Sequence, residues 1–98
     1  MNPENEVYVF NLYVSGMTPK SIKAIETIKS MCEKYLKDRY QLEVFDIYQH
    51  PEILRKDQKL ALAVPALIKR LPLPTMTLIG NLYSEEDFIL KFGLQNKI

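Results

Sequence analysis

The chain has 98 residues, of which 47% are hydrophobic, 13 are basic and 12 are acidic, so its formal net charge is +1. This composition predicts a single globular domain over residues 1–98 and argues against disorder. The near-neutral charge gives no indication of nucleic-acid binding. No apolar run reaches the roughly 18 residues that a membrane-spanning helix needs. With one cysteine and a polar, acidic start unlike a signal peptide, we expect a cytoplasmic protein.

The first half of the chain predicts a strand, a helix and a second strand. Residues 7–14 are apolar on both faces, which is typical of a central strand covered on both sides. Thr18 suits the N-cap of a helix, Pro19 suits its first position, and the helix runs to about Lys37. Its predicted apolar face contains Ile22, Ile25, Ile28, Cys32, Tyr35 and Leu36. A second strand at Tyr40–Tyr48 would lie parallel to the first after a right-handed crossover.

The middle of the chain fits more than one structure. A short helix is predicted from Pro51 to Lys59 or Leu60. The apolar segment Leu60–Leu71 then fits either a helix broken at Pro65 or a loop followed by a short strand. The pattern leaves both alternatives open.

The last third predicts a strand at Thr75–Ile79 and a final helix. Ser84, followed by three acidic residues, resembles a capping box, and Gly93 suits the C-terminal end of the helix. The side chains of this helix that are predicted to lie inside are Phe88, Ile89 and Phe92.

Catalytic, metal and cofactor sites find little support in the residues. Cys32 lies well inside the first helix, where packing explains it better than redox sensing. His50 is the single histidine, and it lacks the clustered ligands of a metal centre. Three glycines in all do not form a phosphate-binding loop. The residues therefore indicate no enzyme, no metal and no cofactor.

The strand–turn–helix at the start resembles that of thioredoxin-like proteins, and Val64-Pro65-Ala66 resembles their cis-proline loop. Those proteins place a Cys-x-x-Cys motif at this turn, where the helix dipole lowers the thiol pKa. Here the turn contains residues 16–19, GMTP, without a thiol. The resemblance favours a protein-binding role over redox chemistry.

Motifs along nearly the whole chain resemble the KaiB proteins of the bacterial circadian clock. The opening motif is LYVSGMTPKS at residues 12–21, and Leu42, Val44 and Asp46 match the second strand. Residues 63–69, 71–74 and 79–82 resemble the proline-rich centre and the closing segment.

This resemblance implies a βαβ half joined to a metamorphic C-terminal half. KaiB-like chains occupy a tetrameric βαββααβ ground form or a monomeric, thioredoxin-like βαβαββα form that binds a KaiC-type hexameric ATPase. Two packings of one sequence coexist when they differ by a few kcal/mol. The unbound chain is then expected to be a homo-tetramer or dimer.

The resemblance also assigns roles to particular residues. Pro65, Pro72 and Pro74 are candidate fold-switch prolines, with plain stiffening of the loops as the alternative. By position in the family, Asp57, Gln58 and Lys59 fall near the ATPase-binding surface.

The chain departs from the family pattern at several charged positions. Glu43 stands where a basic residue is common, Met76-Thr77 replace an arginine pair, Arg55-Lys56 replace an acidic segment, and Lys91 replaces a glycine. These differences alter charge on expected contact surfaces, where complementarity controls the choice of partner.

Three functions are therefore considered. The first is a non-enzymatic regulator that binds a KaiC-like ATPase in a circadian, timing or stress-response system, by switching its fold. The second is a permanently thioredoxin-like module related to the sensor domain of clock-associated histidine kinases. The third, from a different class, is a thiol redox enzyme that depends on Cys32.

Overall fold

The computed structural model describes residues 6–56, 64–80 and 82–94. The elements within them are β1 (Tyr8–Val14), α1 (Pro19–Leu36), β2 (Tyr40–Asp46), α2 (Glu52–Lys56), β3 (Ala66–Leu71), β4 (Met76–Ile79) and α3 (Glu85–Phe92). The four strands form one sheet in the order β2-β1-β3-β4. Strand β2 is parallel to β1, whereas β3 is antiparallel to both β1 and β4. This is the thioredoxin-like βαβαββα arrangement of the two forms predicted.

The central strand β1 is covered on both faces, as its apolar pattern predicts. On one face it contributes to the main core, together with residues from α1, β3, β4 and α3. The β1 members of that core are Phe10, Leu12 and Val14. On the other face, Tyr13 packs in a smaller cluster with Ile47, Ala66 and Ile68.

Helix α1 begins as predicted, because the Thr18 hydroxyl oxygen accepts a hydrogen bond from the Ser21 backbone N–H and Pro19 follows the cap. Its buried face differs in part from the prediction. Ile22 is 45% exposed, and Ala24 and Met31 are buried in the main core instead. The buried positions recur every three or four residues from Ser21, which turns the side chain of Ile22 away from the sheet.

Strand β2 ends earlier than the predicted Tyr40–Tyr48. The backbone N–H groups of Gln49 and His50 both donate to the carbonyl oxygen of Asp46, at 3.0 Å each. These bonds turn the chain away from the sheet after Asp46. Because β2 is an edge strand, Val44 is 36% exposed although its neighbour in β1 is in the core.

The structure resolves the ambiguity after Pro65 in favour of a strand, β3. The Val64-Pro65 peptide bond is cis, as in the thioredoxin-like loop that the sequence resembles, and the bonds before Pro72 and Pro74 are cis as well. The predicted end of α2, at Lys59 or Leu60, lies outside the described residues.

The final helix is confirmed together with both of its caps. The Ser84 hydroxyl oxygen accepts a hydrogen bond from the Asp87 N–H at 3.1 Å. Gly93 ends the helix with φ +68°, a left-handed conformation that L side chains rarely adopt. The helix buries Phe88 and Phe92 against the sheet.

Candidate protein-binding surface

The turn after β1, which the sequence singles out, lies at one end of the strands, together with three other segments. We call this end the upper edge; it contains the turn at residues 15–18, Tyr48, residues 64–65 and residues 79–80. The strand register places them together, because Val14 pairs with Asp46, Tyr13 with Ala66, and Ala66 with Ile79.

A buried carboxylate holds the upper edge in shape. The Asp46 side chain is only 7% exposed, and its Oδ1 atom accepts hydrogen bonds from the backbone N–H groups of Gly16 and Tyr48, both at 2.9 Å. It therefore ties the turn after β1 to the end of β2. A carboxylate that accepts two N–H groups satisfies donors that burial would otherwise leave unpaired.

Gly16 is required by this geometry for two reasons. Its φ of +75° is unfavourable for other residues, and a Cβ atom would lie 3.3 Å from the ring of Tyr48. The Tyr48 ring therefore lies directly against the turn, although the whole residue is 74% exposed.

The large exposed side chains of the upper edge are apolar, and the smaller Thr18 is exposed beside them. Met17 follows Gly16 and is 57% exposed, and Ile79 is 53% exposed at the end of β4. Met17 follows the end of β1, Tyr48 follows the end of β2, and Ile79 is the last residue of β4. The three side chains therefore lie at three of the four strand ends of this edge. Apolar side chains at a strand edge suit contact with another protein.

The upper edge carries no thiol, and the single cysteine is elsewhere. Cys32 is fully buried within α1. Burial, and to a smaller extent the charge of Glu33, raises the pKa of its thiol to about 12. A thiol with that pKa is protonated at neutral pH and is a poor nucleophile.

The three candidate fold-switch prolines are not brought together. Pro65 is half-buried at the upper edge, whereas Pro72 and Pro74 lie in the β3–β4 connection at the opposite edge. Strand β3 separates them and has six residues, which corresponds to about 20 Å. The predicted partner contacts Asp57, Gln58 and Lys59 lie outside the described residues.

A polar contact between α1 and α3 was not predicted from the sequence. Glu85 accepts hydrogen bonds from the Lys34 ammonium group, at 2.5 Å, and from the Tyr35 hydroxyl group. The sequence pattern assigns the acidic residues at the start of α3 to a capping box, and it places Tyr35 with the apolar residues of α1. The partners are about fifty positions apart, and no local pattern connects them.

Other chemistry is sparse in the part of the chain that the structure describes. The His50 ring lies 3.3 Å from the Glu52 carboxylate, at the start of α2. Over residues 6–56, 64–80 and 82–94, the His, Cys, Asp and Glu side chains form no group of three that could hold a metal ion. Within the same ranges, no helix is both long and apolar enough to cross a bilayer.

Solved structures share this fold. The N-terminal domain of Synechococcus elongatus SasA superposes with a TM-score of 0.71 at 18% identity, over 95% of this chain and 90% of that domain. The Drosophila melanogaster thioredoxin Deadhead gives a TM-score of 0.63 at 11% identity, over 92% of this chain and 82% of that protein. At such identities the likeness concerns the fold, which is thioredoxin-like.

Sequence comparison is more specific. A family model described as the KaiB domain matches residues 11–91. The circadian clock oscillator protein KaiB of Thermosynechococcus vestitus is 37% identical over 94 residues, which cover 96% of this chain and 85% of that protein. The corresponding KaiB of Picosynechococcus sp. is 38% identical over 94 residues, with coverage of 96% and 88%. The chain therefore belongs to the KaiB family of circadian clock proteins.

Proposed function

We propose that this chain is a non-enzymatic, cytoplasmic regulator that binds a KaiC-type hexameric ATPase in a circadian, timing or stress-response system. The observation that carries the proposal is the upper edge of the fold. It has the thioredoxin-like architecture, but the turn at which a redox protein needs a thiolate presents Met17, and Tyr48 and Ile79 are exposed along the same edge. Family membership supports the choice of partner.

The proposal includes a change of fold. The βαβ half keeps its structure, and the C-terminal half exchanges the thioredoxin-like arrangement for the βαββααβ form of a free tetramer or dimer. Pro65, Pro72 and Pro74 stand at the two ends of β3 and in the connection to β4, the segments that this exchange rearranges. The ATPase binds one form, so its binding energy must supply the difference between the two.

The contact surface in this proposal has two parts. Met17 and Tyr48 of the upper edge supply apolar contact, and Asp57, Gln58 and Lys59 supply polar contact. The second part rests on position in the family alone.

A second function is favoured by one observation, the likeness in fold to the N-terminal domain of SasA. In this alternative the chain is a permanently thioredoxin-like, monomeric module of the kind that senses clock state on histidine kinases. Oligomeric state separates the two: a tetramer of the isolated chain supports the first function, and a monomer supports the second.

The thiol enzyme finds no support in the position of Cys32. With a buried thiol whose pKa is about 12, we expect iodoacetamide to modify the native chain at pH 8 far more slowly than the urea-unfolded chain. Peptide mass spectrometry measures both rates. Equal rates, or an activity that Cys32→Ser abolishes, would revive the redox function.

The deciding experiment is binding to the KaiC-type ATPase from the same source, with ATP and with ADP, followed over minutes to hours. Slow, nucleotide-dependent association supports the fold-switching regulator. Rapid association supports the preformed module, and no association with either nucleotide overturns the ATPase as partner.

A pair of matched variants tests the surface. Met17 is 57% exposed at the upper edge and Leu90 is 59% exposed on α3. We expect Met17→Asp to weaken binding at least tenfold, because a charge is buried in an apolar contact, and Leu90→Asp to leave binding unchanged. The reverse result would place the contact on α3.

A further inference from the structure

Helix α1 belongs to the N-terminal βαβ half, and α3 belongs to the C-terminal half. A polar cluster joins them at the surface, and we call it the latch: Lys34, Tyr35 and Glu85. The Glu85 Oε1 atom accepts hydrogen bonds from both the Lys34 ammonium group, at 2.5 Å, and the Tyr35 hydroxyl group. The Lys34 nitrogen also lies 5.3 Å from the centroid of the Tyr35 ring.

Each charge of the latch stands at the helix end that favours it. Lys34 is in the last turn of α1, and Glu85 is in the first turn of α3. Cations are stabilised at the C-terminal end of a helix and anions at the N-terminal end. Each charged partner of the latch is therefore stabilised by the end of the helix that carries it.

The latch is also anchored to the core. The Tyr35 ring lies 6.5 Å from the ring of the fully buried Phe88, one turn along α3 from Glu85. This contact restricts the ring, which lowers the conformational entropy lost when the hydroxyl group bonds to Glu85. The contacts shift the pKa values in the expected directions: the pKa of Glu85 is lowered by hydrogen bonds from Lys34 and Tyr35, and the pKa of Lys34 is raised by Glu85.

We infer that the latch selects the thioredoxin-like form over the alternative fold, an inference that rests on the proposed change of fold. The latch needs residues 85–92 to be helical and to lie on α1. In the βαββααβ form the last element is a strand, so the three side chains do not meet in this way. An interaction that is present in only one of two forms stabilises that form by the full free energy of the interaction. The ratio of the two forms changes accordingly.

The test compares Glu85→Ala with Glu86→Ala in the full chain. Both residues are in the first turn of α3, and both variants lose one negative charge beside the same helix end. Glu86 is exposed and donates or accepts no side-chain hydrogen bond among the described residues. The difference between the two variants therefore isolates the latch from the helix dipole.

NMR of the isolated chain at one protein concentration gives the ratio of the two forms from separate amide signals. We expect Glu85→Ala to lower the proportion of thioredoxin-like to alternative form about three- to fivefold relative to Glu86→Ala, as is usual for an exposed charged contact. Tyr35→Phe, which removes only the hydroxyl group, changes the ratio in the same direction by less. Equal ratios in the two alanine variants would overturn the inference.

A second readout separates failure of the latch from failure of the proposed function. If the wild-type chain shows the same fold when it is free and when it is bound to the ATPase, the proposed change of fold is wrong. Hydrogen exchange of the α3 amides then measures the latch directly, with faster exchange expected in Glu85→Ala than in Glu86→Ala. If the α3 amides exchange at equal rates in the two variants, the latch stabilises α3 neither in a chain that changes its fold nor in one that keeps it.

Discussion

The two halves of the molecule build one sheet from elements of very different length. The N-terminal half has two strands of seven residues and a helix of 18 residues, and its strands pair over their full length. The C-terminal half has strands of six and four residues and a helix of eight residues. Isolated helices shorter than about 12 residues are marginal in water. Helix α3 therefore depends on its two caps and on the core that the N-terminal half offers.

This difference shows where a change of fold costs least. Each half contains one strand pair, β1–β2 or β3–β4, but the short strands and helix of the C-terminal half are attached through the pairing of β3 with β1 and through the shared core. Phe88 and Phe92 reach Phe10 of β1 at ring distances of 6.0 and 5.2 Å. Because these contacts are long-range, the C-terminal half can detach while the βαβ half keeps its own strand pairing and helix.

The largest expected effect is the loss of Phe88. This side chain is fully buried and contacts the rings of Phe10, Tyr35 and Phe92. Phe88→Ala should lower the free energy of unfolding by about 3–5 kcal/mol, through lost burial and a cavity. Urea denaturation measures the loss. Hydrogen exchange should show it first in β4 and α3, with β1 and α1 still protected.

Leu90→Ala is the matched control on the same helix. Leu90 is 59% exposed, so its truncation should change the free energy of unfolding by less than about 0.5 kcal/mol. If the amides of β1 and α1 in Phe88→Ala exchange as fast as those of α3, the two halves unfold as one cooperative unit. The proposed difference in stability between the halves would then be wrong.

The next effect belongs to the N-terminal half. Asp46→Ala removes the acceptor of the Gly16 and Tyr48 N–H groups, and we expect a loss of about 1–3 kcal/mol. Asp46→Asn keeps one side-chain oxygen as an acceptor and should lose less. Both values come from urea denaturation, and a neutral Asp46→Ala would show that water satisfies the turn.

Much of the N-terminal half was predictable because its patterns are long. A strand of seven residues, six of them apolar, and a capped helix of five turns leave one consistent arrangement, and both predictions are confirmed. The prediction that Ile22 lies on the buried face of α1 was wrong, because a face chosen for its large apolar residues leaves out the small, fully buried Ala24. The extension of β2 to Tyr48 was wrong, because the chain turns at Asp46. The Asp46 carbonyl accepts the Gln49 and His50 N–H groups, and its side chain accepts the Tyr48 N–H group, a local pattern by which aspartate favours turns.

The C-terminal half and the candidate site were predictable only in part. The strand after Pro65 was one of two alternatives, and pairing with β1 decided between them. The upper edge follows from the thioredoxin-like resemblance, but the Asp46 and Glu85 contacts join residues 30 to 51 positions apart. Such contacts depend on the tertiary structure, and the sequence contains no regular residue spacing from which they could be predicted.

The two N-caps allow a smaller comparison of the halves. Thr18→Ala and Ser84→Ala each remove the oxygen that accepts the N–H group three residues later. Each should lower the free energy of unfolding by about 1 kcal/mol. In the helix of 18 residues we expect the loss to be confined to the first turn. In the helix of eight residues, hydrogen exchange should increase along the whole of α3; a change limited to its first turn would show that α3 is more independent than its length suggests.

The smallest expected effect is a pH dependence of the contact between the halves. The pKa of Glu85 is lowered from its ordinary value of 4.5, chiefly by the hydrogen bond from Lys34 and next by that from Tyr35. The folded carboxyl group thus binds its proton less readily than the unfolded one. Its contribution to stability is present above the unfolded pKa and is lost as the pH falls through the lower, folded value.

Urea midpoints of the wild type and of Glu85→Ala should therefore differ at pH 7 and converge as the pH falls below about 4. Glu86→Ala keeps the latch, so it should follow the wild type in losing stability there. Because both charged partners of the contact are exposed, about 1 M NaCl should also reduce the difference at pH 7. A difference that persists at low pH and in high salt would mean that the Glu85 side chain stabilises α3 without its charge, through its aliphatic carbons or its packing, and that the ion pair contributes nothing to the contact between the halves.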